Sequence, residues 1–270
     1  MKLANKVVVV TGAGNGIGRA TALAFARAGA RIAACDIDRA RLDALAAELG
    51  DRALLVEQVD VADRGQMQAF ATAVHARVPA ADIIVNNAGV AVAGTFLDTS
   101  LDDWDWLLGI NLRGVVHGCH FFIPNMVARG AGGHVINLSS ILGIFAPPGA
   151  TAYIASKFAV LGLSQSLRAE LAAHHIGVTA ICPGMIATGI IADGRINGAA
   201  RERQPDLTKV FKKATPATRV ASVILEAVRT NPAVRTVGPD AWGIAQLARM
   251  APRATARIGA LVAKRMERRT

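Results

Sequence analysis

Three features of the chain predict a single α/β domain with an open sheet covered by helices. Strand-like and helix-like segments alternate from Lys6 to Val237, with no linker or internal repeat between them. The first segment, Lys6–Thr11, is a β-branched run without polar alternation, as expected of a parallel strand buried on both faces. The 270 residues are 52% hydrophobic and 19% charged, which is enough apolar material for one large core. Aromatics are only 4%, so Gly, Ala, Val and Ile must supply that core, and small side chains suit close packing of helix on sheet.

The elements follow in order. Lys6–Thr11 runs directly into Gly12-Ala13-Gly14-Asn15-Gly16-Ile17-Gly18, and Arg19–Ala28 then reads as a helix. A strand, a glycine turn and a helix make a phosphate site. Glycines let the backbone approach a pyrophosphate, and the helix N-terminus offers free N–H groups and a partial positive charge. The next strand, Arg31–Cys35, ends on Asp36, about 20 residues past the glycine turn. A carboxylate there can accept hydrogen bonds from both ribose hydroxyls of an adenosine and repels a 2′-phosphate. Neither Asn15 nor Ile37 adds a cation to offset that repulsion, which favours NAD over NADP. Arg39 and Arg41 are the nearby cations, and both fit the exposed face of the following helix.

Asp38–Leu49 reads as that helix, Ala53–Val59 as a strand ending at Asp60-Val61, and Asp63–Val78 as the next helix. The strand Asp82–Val85 ends in Asn86-Asn87-Ala88-Gly89, small residues at a carboxyl end, where open α/β sheets place ligands. Leu101–Asn125 is mostly helical in pattern, with Asn111 set among apolar neighbours. The strand Gly133–Leu138 ends in Ser139-Ser140, and a Pro-Gly loop over Ile141–Ala150 leads to a helix reaching about His174. The strand Val178–Cys182 ends in Pro183-Gly184. Met185–Thr215, which carries Ile186 and Thr188, has no clear periodicity; a helix over Pro216–Thr230 and a short strand Val234–Val237 follow.

Tyr153 is the only tyrosine in the chain, and Lys157 lies four residues on, so a helix places both on one face. A free phenol, with a pKa of about 10, is a poor base near neutrality, and a neighbouring cation favours the phenolate. Bringing that value to about 7 takes roughly 4 kcal/mol of differential stabilisation. Lys157 could supply part of it, and a positively charged nicotinamide ring could supply more.

Thr11–Gly18, Asp60, Asn86–Gly89, Asn111, Ser140, Tyr153, Lys157 and Pro183-Gly184 together resemble the short-chain dehydrogenase/reductase family in residue type, order and spacing. The match covers roughly residues 4–240. The resemblance implies a single Rossmann domain with a doubly wound parallel sheet in strand order 3-2-1-4-5-6-7 and helices on both faces. It implies that Tyr153 is the acid/base, that Ser140 holds the substrate oxygen, and that Lys157 binds the nicotinamide ribose and lowers the Tyr153 pKa. Asn111 would hold a water linking Lys157 to solvent. By the same resemblance the cofactor meets Gly12, Gly14, Asn15, Gly16, Ile17, Gly18, Asp36, Ile37, Asp60, Val61, Asn87, Ala88, Gly89, Tyr153, Lys157, Pro183, Gly184, Ile186 and Thr188. Ser139 faces the other way along its strand and reads as structural.

The expected reaction is NAD-dependent interconversion of an apolar secondary alcohol and its ketone. Val90–Val92, Ile141, Leu142, Phe145 and the isoleucines of a lid over about 185–215 would roof the substrate. Gly189, Gly194 and Gly198 suggest that this lid moves and orders on binding. Two other readings stand beside this one. A nucleotide-binding regulator or scaffold of the same fold is opposed by the intact Ser140, Tyr153 and Lys157. A sugar-nucleotide epimerase or dehydratase is opposed by the spacing of the glycine turn and the short chain beyond residue 184.

Cys35, Cys119 and Cys182 are odd in number and lack metal-ligand spacing, so buried, reduced thiols in a cytoplasmic protein are expected, with no metal. The start of the chain has no cleavage pattern, and no apolar run reaches the roughly 20 residues of a membrane span. His117, His120, His134, His174 and His175 show no ligand pairing. The net charge of +10 is uneven: residues 242–270 hold seven Arg or Lys against Glu267, a net of +6 that leaves +4 for the rest. The body lacks nucleic-acid signatures. From Trp242 on, Ile244, Leu247, Ala251, Ala254, Ile258 and Leu261 form an apolar stripe opposite Arg249, Arg253, Arg257 and Lys264, interrupted at Pro252. Three surfaces would cover such a stripe: an anionic membrane, a second subunit of a homo-dimer or homo-tetramer, or the chain's own domain.

Overall fold

A computed structural model describes residues 2–202, 204, 209, 214–251 and 261. Seven strands form the main sheet: β1 Val7–Thr11, β2 Arg31–Asp36, β3 Ala53–Gln58, β4 Ile83–Asn86, β5 Gly133–Leu138, β6 Ile176–Pro183 and β7 Val234–Val237. All neighbouring pairs are parallel and the order is 3-2-1-4-5-6-7, as the resemblance implies. Between the strands run α1 Gly16–Arg27, α2 Arg39–Leu49, α3 Arg64–His75, α4 Leu101–Leu108, α5 Gly114–Arg129, α6 Thr151–Glu170 and α7 Ala217–Thr230, and α8 Pro239–Met250 follows β7.

The alternation of strand side chains sets the three layers. Val8 and Val10 face one side of the sheet, where they pack with Ile32, Ile83 and the apolar faces of α1 and α7. Val7 and Val9 face the other side with Ile84, Met67, Phe70, Phe122 and Val160, which come from α3, α5 and α6. A β-branched strand at the centre of a parallel sheet has no solvent face, which is why Lys6–Thr11 shows no polar alternation. Asp38 and Asp63 cap α2 and α3 by accepting the N–H groups of Arg41 and Gln66.

The helical stretch expected over Leu101–Asn125 is broken in register. Gly109–Arg113 forms a π turn between α4 and α5, and Asn111 lies within it, fully buried. Helix α8 begins at Pro239, before the expected start of the extension; proline suits a first helical position. Asp240 then holds the turn after β6, where its Oδ2 accepts the Met185 N–H at 3.0 Å. The helix lies against β7 and the 3-10 turn Ile141–Gly143. Trp242 and Met250 are nevertheless exposed, at 63% and 82%. The second helix expected from Pro252 lies outside the described residues, as does most of 203–213. Among the described residues no helix is long and apolar enough to cross a membrane, and all three cysteines are free and buried.

One buried polar group in the sheet has a pH consequence. His134 is 2% exposed, and its Nε2 lies 2.9 Å from Thr179 Oγ1. Because Thr179 donates its own hydrogen to the Pro232 carbonyl, His134 must donate from Nε2. Burial, with some help from the Arg168 charge, pushes its pKa down to about 4. The folded value lies below the unfolded value of about 6.5, so the unfolded chain binds more protons between them. Stability from this site is therefore present above pH 6.5 and lost as pH falls towards 4, by about 3 kcal/mol at most. Denaturant titrations at pH 7 and 4.5 should show this loss in the native chain. His134→Gln should be less stable at pH 7 and have a flatter pH dependence.

Candidate active site

The site lies at the carboxyl ends of β1, β4, β5 and β6. Two close approaches build its floor. A Cβ on Gly12, which has φ of +62°, would lie 2.7 Å from Ala88 Cα, and a Cβ on Gly18 would overlap the Gly12 carbonyl oxygen. The turn after β4 therefore rests directly on the glycine turn after β1. Thr11 Oγ1 accepts from the N–H groups of Asn87 at 3.0 Å and Ala88 at 3.1 Å. Asn87 Nδ2 donates to the carbonyls of Thr11 at 2.9 Å and Gly12 at 3.0 Å. Asn87 is thus a strut between the two turns, and Gly89 beyond it is exposed to the cleft.

Asn15 caps α1, its Oδ1 accepting the Gly16 N–H at 2.7 Å, which leaves the N–H groups of Ile17 and Gly18 to other acceptors. The Asp36 carboxylate accepts from Gly14 N at 2.8 Å through Oδ2 and from Asp38 N at 3.0 Å through Oδ1, so it faces the glycine turn. Ile37 beside it is 64% exposed. Asp60 turns the chain after β3 by accepting Ala62 N at 2.9 Å, while Val61 is buried against Gly114 of α5. The free N–H groups, the inward carboxylate and the bare glycine surface fit a dinucleotide: donors for its pyrophosphate and an acceptor for its adenosine ribose.

Ser140, Tyr153 and Lys157 come together above this floor. The Ser140 Oγ accepts the Leu142 N–H at 3.1 Å, and the hydroxyl lies near enough to the phenol to favour its ionisation. Lys157 Nζ lies 5.5 Å from the Tyr153 ring centre and donates to the Leu138 carbonyl at 3.0 Å. Ser139 instead donates to the Lys157 carbonyl at 2.8 Å, in keeping with its structural reading. Asn111 Oδ1 accepts from Val90 N at 2.8 Å, and its Nδ2 donates to Val90 O at 2.9 Å and to Ser156 Oγ at 3.2 Å. A Cβ on Gly89 would lie 3.3 Å from Asn111 Oδ1 and 3.5 Å from Lys157 Nζ, so that glycine is the gap between the two.

The electrostatics depart from the expectation that Lys157 lowers the Tyr153 pKa. Burial pushes the phenol up to about 12, and the Ser140 hydroxyl, not Lys157, is the group pulling it down. The ring is only half-buried, so water reaching it moderates the rise. Burial also pulls the Lys157 ammonium down to about 8, opposed by Cys182. Because burial disfavours the Lys157 ammonium, part of the lysine is neutral as pH nears 8, and only its charged fraction favours the phenolate.

Other residues reach the site without a local signal in the sequence. Ser156 donates to the Tyr153 carbonyl at 2.6 Å and also receives Asn111 Nδ2, linking helix and π turn. Gly184 leaves room for the Asp240 carboxylate, which a Cβ there would overlap. Ile186 is buried in the core, leaving only its backbone for a ligand, and Thr188 Cγ2 would lie 3.1 Å from a Cβ on Gly16. Ile186, Ile191 and Ile196 are buried and pack the lid; Met185, Ile190, Leu142, Phe145 and Val90 are the apolar side chains left partly open.

A glycine turn under a helix N-terminus at the carboxyl edge of a parallel sheet is the arrangement of dinucleotide-binding α/β proteins. A family model described as short chain dehydrogenase matches residues 6–197. The chain belongs to the short-chain dehydrogenase family, oxidoreductases that use a nicotinamide cofactor on CH–OH or carbonyl groups. It is 41% identical over 264 residues to the probable oxidoreductase EphD of Mycobacterium tuberculosis, covering 93% of this chain and 45% of that relative. The chain thus spans less than half the length of that relative. It is 37% identical over 190 residues to the 3-oxoacyl-[acyl-carrier-protein] reductase FabG of Thermotoga maritima, covering 70% of this chain and 77% of that one. A short chain dehydrogenase/reductase from Burkholderia phymatum in complex with NAD superposes with a TM-score of 0.86 at 29% identity, over 94% of this chain and 96% of the other.

Alanine in place of a helical glycine ordinarily stabilises by about 0.5–1 kcal/mol. Gly18→Ala should do the reverse, destabilising by about 1–3 kcal/mol because its methyl would overlap the Gly12 carbonyl oxygen. Urea midpoints of the two proteins check the sign, and a rise in midpoint would remove Gly12–Gly18 contact as a constraint.

Proposed function

We propose that the chain is an NAD-dependent oxidoreductase interconverting an apolar secondary alcohol and its ketone, with Tyr153 as acid/base. The observation that carries this reading is the Ser140–Tyr153–Lys157 cluster beside Gly89, at the end of a sheet whose first turn fits a dinucleotide. When bound, an oxidised nicotinamide accepts the hydride and places a positive charge near the phenol.

The chain's own residues do the rest. Asp36 retains free lone pairs for the ribose diol of the adenosine half, and its charge disfavours a 2′-phosphate. Lys157 has N–H groups beyond the one given to Leu138 O, which reach towards the ribose of the nicotinamide half. In alcohol oxidation, Tyr153 takes the hydroxyl proton while Ser140 donates to the oxygen; in reduction, the phenol returns the proton to the carbonyl oxygen. Asn111, fixed by Val90 and Ser156, holds a water that connects Lys157 to solvent. The partly open Val90, Leu142, Phe145, Met185 and Ile190 favour an apolar substrate over a sugar or a charged acid. NAD in the Burkholderia phymatum relative supports the same cofactor here. A scaffold of the same fold would have no need of a phenol aligned with a serine and a buried lysine.

Homo-oligomerisation, and contact of residues 242–270 with an anionic membrane, belong to the same reading. Salt-sensitive co-sedimentation with anionic vesicles, or a change of mass on removing 242–270, would assign the exposed Trp242 and Met250 to lipid or to a subunit respectively.

Tyr153→Phe should keep NAD affinity within about threefold and slow single-turnover NADH formation by about 10²–10⁴. Turnover within tenfold of the native chain would remove Tyr153 from its role. Because the phenol is held towards about 12, its reactive fraction grows with pH, and alcohol oxidation should accelerate from pH 6 to 8. The residual rate of Tyr153→Phe should lack that slope.

A further inference from the structure

Resting on the NAD reading above, the geometry points to Asp193, on the lid, as a second determinant of cofactor choice, acting by holding the Arg41 guanidinium away from the adenosine ribose. Asp36 is the direct determinant, and its position is visible in the sequence. Arg41 should oppose it. The point where a Gly14 Cβ would sit is 2.9 Å from Arg41 Cβ and 3.0 Å from Asp36 Oδ2, so the arginine stem and the carboxylate flank the same glycine of the turn. A guanidinium on that stem is the natural partner for a 2′-phosphate, which it can grip through two parallel N–H bonds. Arg39, the other nearby cation, pairs with Asp43 along the exposed face of α2.

Arg41 is instead committed elsewhere. Its Nε pairs with Asp38 Oδ2 at 3.0 Å, and its two terminal nitrogens reach both carboxylate oxygens of Asp193, at 3.1 and 3.3 Å. Asp193 is 152 residues away in sequence, on the lid that follows β6. It is brought here because that segment crosses the glycine turn: a Cβ on Gly189 would lie 3.1 Å from both Asn15 Nδ2 and Asp193 Oδ2. Asp193 N–H is itself fixed to the Gly189 carbonyl at 2.8 Å. Three carboxylates, Asp36, Asp38 and Asp193, thus act on one guanidinium, and the fork that would receive a phosphate is occupied by the lid. Neutralising Asp193 releases the fork and leaves Asp36 untouched.

The test compares the native chain with Asp193→Asn, a near-isosteric change at an exposed position, and with Asp193→Ser. NADH and NADPH are titrated by fluorescence, and 5′-ADP and 2′,5′-ADP by calorimetry, so that binding is read without turnover. An exposed ion pair of this kind is worth up to about fivefold. Both variants should bind NADPH and 2′,5′-ADP about three- to fivefold more tightly, with NADH and 5′-ADP within twofold of native. Adding Arg41→Met should abolish the gain, because the effect runs through the guanidinium. Parallel changes for both cofactors would mean that Asp193 only packs the lid, and would overturn the inference. A gain that survives Arg41→Met would overturn it as well. A native chain that binds neither NADH nor 5′-ADP would instead remove the dinucleotide reading beneath it.

Discussion

The site depends on one contact between backbones. The turn after β1 and the turn after β4 approach until Gly12 touches Ala88, and only a missing Cβ permits it. Thr11 and Asn87 then tie the two turns with four hydrogen bonds, all within the sheet's carboxyl edge. Gly89 follows at the exposed edge, where a Cβ would crowd both Asn111 and Lys157. The glycine turn after β1 and the Gly89 edge of the Tyr153–Lys157 cluster are therefore tied together. Strands buried on both faces hold them from below, because neither turn can shift without moving β1 or β4 through a close-packed core.

Burial exacts an electrostatic cost at that centre. Tyr153 and Lys157 are both driven towards their neutral forms, the phenol to about 12 and the amine to about 8. Neither shift serves proton transfer by itself. They do mean that a charge arriving in the cleft acts through little intervening water, where its influence on both groups is large. Ser140 is the neighbour that already favours the phenolate. Ser139, just past β5, spends its hydroxyl on the Lys157 carbonyl. The two adjacent serines divide structure and chemistry between the two faces of a strand end.

How much of this was legible in the sequence follows from the range of each interaction. β5 and β7 have the bounds that the residues indicated, and the seven-strand order agrees with the family pattern. Those features are set locally, by β-branched runs and glycine turns. The π turn at Asn111 was not legible as such, since the stretch over 101–125 read only as mostly helical. The sequence places Lys157 on the Tyr153 face of a helix, and only the fold reveals that the lysine is buried. Asp240 and Asp193 carried no signal because their partners lie 55 and 152 residues away. His134 showed no ligand pairing in sequence, and its partner Thr179 is a cross-strand neighbour.

The lid shows how these ranges combine. Its glycines suggested a mobile segment, yet the described part is fastened on two sides. Arg195–Ile196 pairs with Val92–Ala93, and Asp103, 8% exposed, receives Arg195 at 2.9 Å and Asn197 at 2.7 Å. Arg195 also lies over the Trp106 ring at 4.1 Å, while Arg41 holds Asp193 on the cofactor side. Beneath, Ile186, Ile191 and Ile196 are buried, so the segment has an apolar underside and polar fastenings at its rim. Rim ion pairs that remain 40–46% exposed contribute little each and exchange readily with water. An apolar underside resists sliding but not a hinged lift. Parting the Asp103 fastening would leave a buried carboxylate without its partners, a larger cost than parting the exposed Arg41–Asp193 pair.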